Sequence, residues 1–145
     1  MVQTKSKKVI DSREQKPYRF TNSTRTALTT GDYSILGLED RITIERKELS
    51  DFYNCIGNDR ERFEAELKRM SEFELPVVIV EAEFTEVLKP RENGSRLHPN
   101  SILGSIASWT AKYGITFFFC GGRELAKRMT QKILEKFHKY ENEDI

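Results

Sequence analysis

The chain reads as an α/β domain with a mixed central sheet flanked by helices, and three features of its 145 residues predict this. Two short strand-like runs, residues 33–36 and 42–44, face each other across a turn built from Gly37, Glu39 and Asp40, the pattern of a hairpin. Residues 76–80 (Pro-Val-Val-Ile-Val) form an unbroken, mostly β-branched run, as expected for a strand buried on both faces. From residue 50 onward, stretches with apolar residues at helical spacing alternate with strand-like runs.

Residues 1–8 are a polar, basic lead-in, after which Val9 and Ile10 close a short strand at Asp11-Ser12-Arg13-Glu14. Residues 24–30 are rich in threonine, with Leu28 the only large apolar residue, and lead into the hairpin. Ser50 is the expected N-cap of a short helix carrying Phe52, Tyr53 and Ile56, broken at Gly57-Asn58. A second helix follows from Asp59, with Phe63, Leu67 and Met70 at helical spacing, and stops before Pro76. Residues 89–95 are a loop by composition. Pro99 opens a helix with Ile102, Ile106, Trp109 and Tyr113 on one stripe and the small residues Gly104, Ser108 and Ala111 on another. Gly114 ends it, and residues 115–119 make a further apolar strand. Gly121-Gly122 then turns the chain into a last helix, residues 124–140, whose expected buried face is Ala126, Met129, Ile133, Phe137 and Tyr140. With no internal repeat, low-complexity tract or linker, one domain spanning 1–145 is expected, its core at about 9–140.

The balance of 24 basic against 23 acidic residues announces no polyanionic partner, although acids gathered in one site can mask a local basic patch. Cys55 and Cys120 lack metal-ligand spacing and are expected to be buried free thiols. No signal segment or membrane-length apolar run is visible, so an intracellular, cytoplasmic protein without membrane contact is expected.

The hairpin carries the chemistry. Its turn would place Asp32 opposite Glu45, and cross-strand pairs bring Cβ atoms to about 5 Å, where like charges repel. A divalent cation converts that repulsion into attraction. Lys47, two residues after Glu45, shares its strand face, while Arg46 points to the other. Two acids and a lysine suit metal-assisted phosphodiester hydrolysis: the acids hold the cation, and the lysine orients or deprotonates water or stabilises the transition state. Asp32 and Glu45 are the expected ligands of Mg2+ or Mn2+, with the Arg46 carbonyl as a candidate third oxygen. The Arg46 side chain either braces the site through a carboxylate such as Asp51 or joins the chemistry. Asp11 is a further metal or supporting acid, or a strand-end cap. Arg13 and Glu14 are expected to form a supporting ion pair. Arg62, at a helix start that favours negative charge, is expected to contact a phosphate or a site carboxylate, with plain exposure the alternative. Trp109 and Tyr113 are core or interface residues, and the small stripe lets a helix approach closely, within the fold or across a dimer.

Gly31-Asp32, Glu45-Arg46-Lys47 and Asp51 resemble the signature of the XPF-type nuclease family, Gly-Asp followed by Glu-Arg-Lys-x-x-x-Asp. Asp11-Ser12-Arg13-Glu14 is similar to the family's first-strand Asp-x-Arg-Glu, Arg62-Phe63 to its next helix start, and residues 77–81 to its core strand. The segment from His98-Pro99-Asn100 through Tyr113-Gly114 is similar to short stand-alone members from bacteriophages and bacteria. The resemblance implies the restriction-endonuclease-like fold and a magnesium- or manganese-dependent DNA endonuclease acting on branched or flap-like DNA, in a bacterial or phage-infected cell. It makes Asp32, Glu45, Arg46, Lys47 and Asp51 the expected catalytic set. Arg60 and Arg62 are expected DNA contacts, and so are Lys89, Arg91, Arg96 and His98, which cluster around the Asn93-Gly94 turn, with a plain solvated loop the alternative for these four. The helix-hairpin-helix domain of larger relatives is not expected here. A homodimer pairing through residues 99–113 and 124–140 is expected instead, with a second protein as another route to DNA targeting. A DNA-binding or partner module that has lost catalysis is the alternative, and it would have to keep Asp32, Glu45 and Lys47 without using them.

Overall fold

A computed structural model describes residues 6–143; the first five residues of the basic lead-in lie outside them. Six strands form one sheet: β1 (Lys8–Asp11), β2 (Ser23–Thr26), β3 (Tyr33–Ile35), β4 (Ile42–Lys47), β5 (Leu75–Val80) and β6 (Thr116–Phe119). Their spatial order is β2-β1-β3-β4-β5-β6. The pairs β1–β3 and β3–β4 are antiparallel, while β1–β2, β4–β5 and β5–β6 are parallel. The helices are α1 (Leu49–Ile56), α2 (Arg60–Met70), α3 (Phe84–Val87), α4 (Pro99–Tyr113) and α5 (Arg123–Glu143), with a 3-10 turn over Pro90–Asn93. This is the mixed sheet flanked by helices that the sequence predicts.

Strand periodicity divides the core. Val78 and Val80 of β5 pack under α1, α2 and α4 with Phe52, Phe63, Leu67, Ile102 and Trp109. Val77 and Ile79 point the other way, joining Tyr33, Ile35, Ile42, Ile44, Ala126 and Leu134 under α5. Burial on both faces explains the unbroken apolar run of β5. Trp109 is a core residue, donating its indole N–H to Glu64 at 2.8 Å. Cys55 and Cys120 are both free and buried, as expected.

Four local expectations are corrected. Ser23–Thr26 is a strand, parallel to β1 at the sheet edge, where a polar sequence gives no apolar signal. The 89–95 segment, expected as a loop, holds the 3-10 turn Pro90–Asn93. Helix α1 begins one residue before Ser50, with Glu48 at the N-cap and no side-chain cap bond. On α5 the buried positions are Ala126, Thr130 and Leu134; Met129, Ile133 and Phe137 are partly buried, and Tyr140 is 58% exposed. Among the described residues no helix is long and apolar enough to cross a membrane.

Candidate active site

The β3–β4 hairpin positions the acids. Tyr33 pairs with Ile44, a register that extends to Asp32 opposite Glu45. The chain enters β3 through Gly31 at φ +80°, against Thr43. Asp32 is fixed from both sides: its N–H donates to the Ile44 carbonyl at 2.8 Å, and its Oδ2 accepts the Arg46 N–H at 2.8 Å. Glu45 is 7% exposed, and Lys47 on the same face places Nζ 3.1 Å from Glu45 Oε2 and 5.2 Å from the Phe63 ring centre.

Burial raises the Asp32 carboxyl to about 6, with Glu14 and Glu66 adding to the rise and the Glu45 and Arg46 hydrogen bonds opposing it. Glu45 is raised well above the carboxylate range by burial and by the charges of Asp32 and Glu66. Glu66, from α2, is within hydrogen-bonding reach of Glu45, and its Oε1 is buried without a partner among the described residues. Burial opposes the Lys47 charge, but Glu45, Cys55 and Glu66 outweigh it and hold the ammonium above its ordinary range. Among the described residues no three of His, Cys, Asp and Glu form a metal-ligating cluster. Two hard carboxylates beside a cavity nevertheless fit magnesium, which keeps several waters, and the repulsion from Asp32 and Glu66 that raises Glu45 is what a bound cation would relieve.

The opposite face of β4 carries a charge lattice. Arg46 pairs with Glu14 and Glu81 at 3.1 Å each and with Glu48 at 3.5 Å, so the expected Arg46–Asp51 brace is replaced by these three acids. Glu81 also accepts from the Tyr18 hydroxyl and faces Arg123 at 3.7 Å. The Arg46 and Arg123 guanidinium groups lie 5.9 and 4.8 Å from the Tyr18 ring centre. Burial disfavours the Arg46 charge, and its acid partners overcome that and raise its pKa. Nor do Arg13 and Glu14 pair with each other: Arg13 bonds Asp11, and Glu14 bonds Arg46. Asp11 Oδ1 also accepts the Leu28 N–H at 2.9 Å, so both its oxygens are engaged in closing the end of β1.

Two cavities meet at this hairpin. One of about 390 Å3 exposes Asp11, Asp32, Glu45 and Glu48. The other, about 300 Å3, is lined by Asn54, Arg62 and Glu66. Lys47 and Asp51 line both and stand at the junction. Arg62 is thus brought to the site, held by Asp59 at 2.8 Å. Arg60 is turned toward α4, bonding Ser105 at 2.6 Å, pairing with Glu64 and lying over Trp109. Lys89, Arg91 and His98 line a separate cleft with Pro90 and Pro99, and His98 Nδ1 accepts the Asn100 N–H as the α4 cap. Arg96 borders a groove against α1. Glu66, Glu81 and Glu48 are the site residues that the sequence reading missed. Glu66 follows Arg62 by one helical turn, a spacing that places both on one face.

The ERCC4 domain model matches residues 10–133 of the chain. A protein of Methanocaldococcus jannaschii, whose name describes it as an ATP-dependent RNA helicase, is 34% identical over 132 residues; the match covers 88% of this chain and 15% of that protein. Among solved structures, XPF from Aeropyrum pernix superposes with a TM-score of 0.67 at 22% identity, covering 95% of this chain and 66% of that one. The same protein in complex with DNA gives 0.70 at 20% identity, covering 94% and 66%. With the family model spanning most of the chain and the superposition covering 95% of it, this chain belongs to the ERCC4 domain family of XPF-type nucleases and carries their restriction-endonuclease-like fold.

Proposed function

We propose that the chain is a divalent-metal-dependent endonuclease that hydrolyses phosphodiester bonds in branched or flap-like DNA, during repair, recombination or phage DNA processing, and works as a two-fold dimer. The observation that carries this reading is the pairing of half-buried Asp32 with buried Glu45 and a charged Lys47 on the same face, at the junction of two cavities. The solved complex of the A. pernix XPF with DNA, on the same fold, supports DNA as the substrate.

Asp32 and Glu45 would hold Mg2+ or Mn2+, which when bound supplies Lewis acidity and a water of lowered pKa. Water adds to phosphorus as one ester P–O bond breaks, and the departing oxygen takes up a proton. Lys47, charged and fixed by Glu45, donates toward the negative charge that develops on the phosphate. Arg46, clamped between Glu14 and Glu81, holds the end of β4 so that Glu45 and Lys47 keep their geometry. Arg62, in the adjoining cavity, offers a cation to the substrate backbone, with Lys89, Arg91 and Arg96 outside both cavities.

The test is a panel of duplex, single-stranded, flap, fork and four-way DNAs, with and without magnesium or manganese. Cleavage should require metal and vanish in Asp32→Asn and Glu45→Gln variants that keep the wild-type circular dichroism spectrum. Lys47→Ala should lose about 100- to 1000-fold in turnover while still binding DNA. Undiminished cleavage by both acid variants would remove this site from the reaction.

A further inference from the structure

Helix α2 carries three acids, Glu61, Glu64 and Glu66, and two of them have ordinary surroundings. Glu61 is exposed to water, while Glu64 pairs with Arg60 at 3.3 Å and accepts the Trp109 indole N–H at 2.8 Å. Glu66 has neither arrangement. Its Oε1 is the one buried side-chain nitrogen or oxygen without a hydrogen-bond partner among the described residues. The two cations that line the same cavity are committed elsewhere: Lys47 to Glu45 at 3.1 Å, and Arg62 to Asp59 at 2.8 Å. An exposed carboxylate would be served by water, but this oxygen is closed to it, and buried polar atoms are nearly always paired.

Packing puts Glu66 there. Phe63, Leu67 and Met70 anchor α2 in the core, and Glu66 follows Phe63 by three positions, on a neighbouring line of the helix. The Phe63 ring lies against Lys47, so this edge of α2 faces the end of β4. There Glu66 reaches Glu45, which in turn reaches Asp32. A third acid directed at two others is unfavourable in a protein interior. The helix dipole offers little relief, because it acts within the first turn and Glu66 sits in the middle of α2. Local arrangements that oppose stability are concentrated where function requires them.

The affinity of a carboxylate site for a divalent cation rises with the number of charges and the rigidity of the ligands. Groups that contact the ligands from behind set their orientation. Glu66 supplies a negative charge and a contact with Glu45 from a well-packed helix. Asp32 and Glu45 remain the ligands, since the described residues hold no cluster of three. Resting on the nuclease reading above, we infer that Glu66 is a positioning residue of the metal centre, which aims the Glu45 carboxylate and adds a third negative charge behind it. In this role Glu66 touches no reacting atom. It governs how tightly the cation is held, not the rate once the cation is bound.

Isothermal titration calorimetry with manganese alone, on the full chain without DNA, reads this directly. Glu66→Gln keeps the size of the side chain and removes its charge, and should bind manganese about 10- to 100-fold more weakly. In chelator it should melt no lower than the wild type, because one of three like charges is gone. A merely structural side chain would give the reverse, a lower melting temperature with unchanged affinity. Glu66→Asp, which keeps the charge, should bind manganese more tightly than Glu66→Gln. Glu61→Gln, which removes the same charge from an exposed position on α2, should bind as the wild type does. In cleavage assays Glu66→Gln should need more manganese for half-maximal rate and reach the wild-type rate at saturation. Wild-type affinity or a lowered melting temperature in Glu66→Gln overturns the inference, as does an equal loss in Glu61→Gln or a Glu66→Asp chain that binds no better than Glu66→Gln. If the wild type binds manganese and cleaves DNA, each of those results removes Glu66 alone and the nuclease reading stands. A wild type that neither binds manganese nor cuts DNA overturns both.

Discussion

At Asp32 the fold places a carboxylate where ionisation is costly. Burial, with Glu14 and Glu66 nearby, raises it from 3.8 to about 6. The folded chain therefore binds this proton more tightly than the unfolded chain, so stability falls as pH rises between about 4 and 6. Two pH units correspond to at most about 3 kcal/mol. Glu14 and Glu48, whose pKa values are lowered, act in the opposite direction and lose their contribution as pH falls. Comparison with Asp32→Asn reports Asp32 together with the part of the Glu45 rise that its charge causes, while asparagine can still accept the Arg46 N–H. In chelator the variant should melt higher than the wild type at pH 7, with the gap closing toward pH 4. Manganese should raise the wild-type melting temperature more at pH 7 than at pH 5, because metal and proton compete for the carboxylates. A wild type that gains stability relative to the variant as pH rises through this window would contradict the placement of Asp32. The Asp32–Glu45–Lys47 constellation was legible because a hairpin register and a period of two are local properties. Glu66 was not, because it reaches Glu45 from a helix 21 positions later in the chain. The Arg46 partners Glu14 and Glu81 lie 32 and 35 positions away and were equally hidden.

Among the elements, the β3–β4 hairpin and β5 could be read from sequence because their patterns are set by burial that repeats along a single strand. β2 could not: Ser23-Thr24-Arg25-Thr26 is half-buried to exposed and is a strand because β1 offers it a free edge. The hairpin also contains the tightest backbone constraint at the site. A Cβ on Gly31 would sit 2.1 Å from Thr43 Oγ1, in a backbone region that L residues enter at a cost of roughly 1–2 kcal/mol. Thr43 is 1% exposed, with its hydroxyl on the Thr30 carbonyl, so it has little room to yield. Gly31→Ala should destabilise by about 2 kcal/mol or more in denaturant titration, and should lower activity by displacing Asp32, the next residue. Adding Thr43→Ala should recover only the part due to the clash, leaving the backbone cost. Wild-type stability in the single variant would show that Gly31 is not what sets the entry to β3.

For the whole molecule, the open question is the far edge of the sheet. Among the described residues β6 pairs only with β5, and its Phe117, Phe118 and Phe119 are half-buried; an edge strand is a place where another chain can pair. The stripe of Gly104, Ser108 and Ala111 on α4, which the sequence left ambiguous, is exposed, as are the uncharged neighbours Leu103 and Ala107. On α5, Leu125 and Tyr140 are 52% and 58% exposed. A net formal charge of +1 sets no strong repulsion between copies. Small residues permit close helix approach, and the large apolar groups around them gain from leaving water. The expected assembly is a two-fold dimer through α4 and α5, burying roughly 2000 Å2 or more in total if obligate. Sedimentation equilibrium at micromolar concentration should give twice the 16.9 kDa chain mass. Ser108→Arg, on the exposed stripe and away from the acids, should shift the protein to monomer without unfolding it. If Ser108→Arg stays dimeric, the seam lies elsewhere; a wild-type monomer fully active on DNA would show that one copy is sufficient for catalysis.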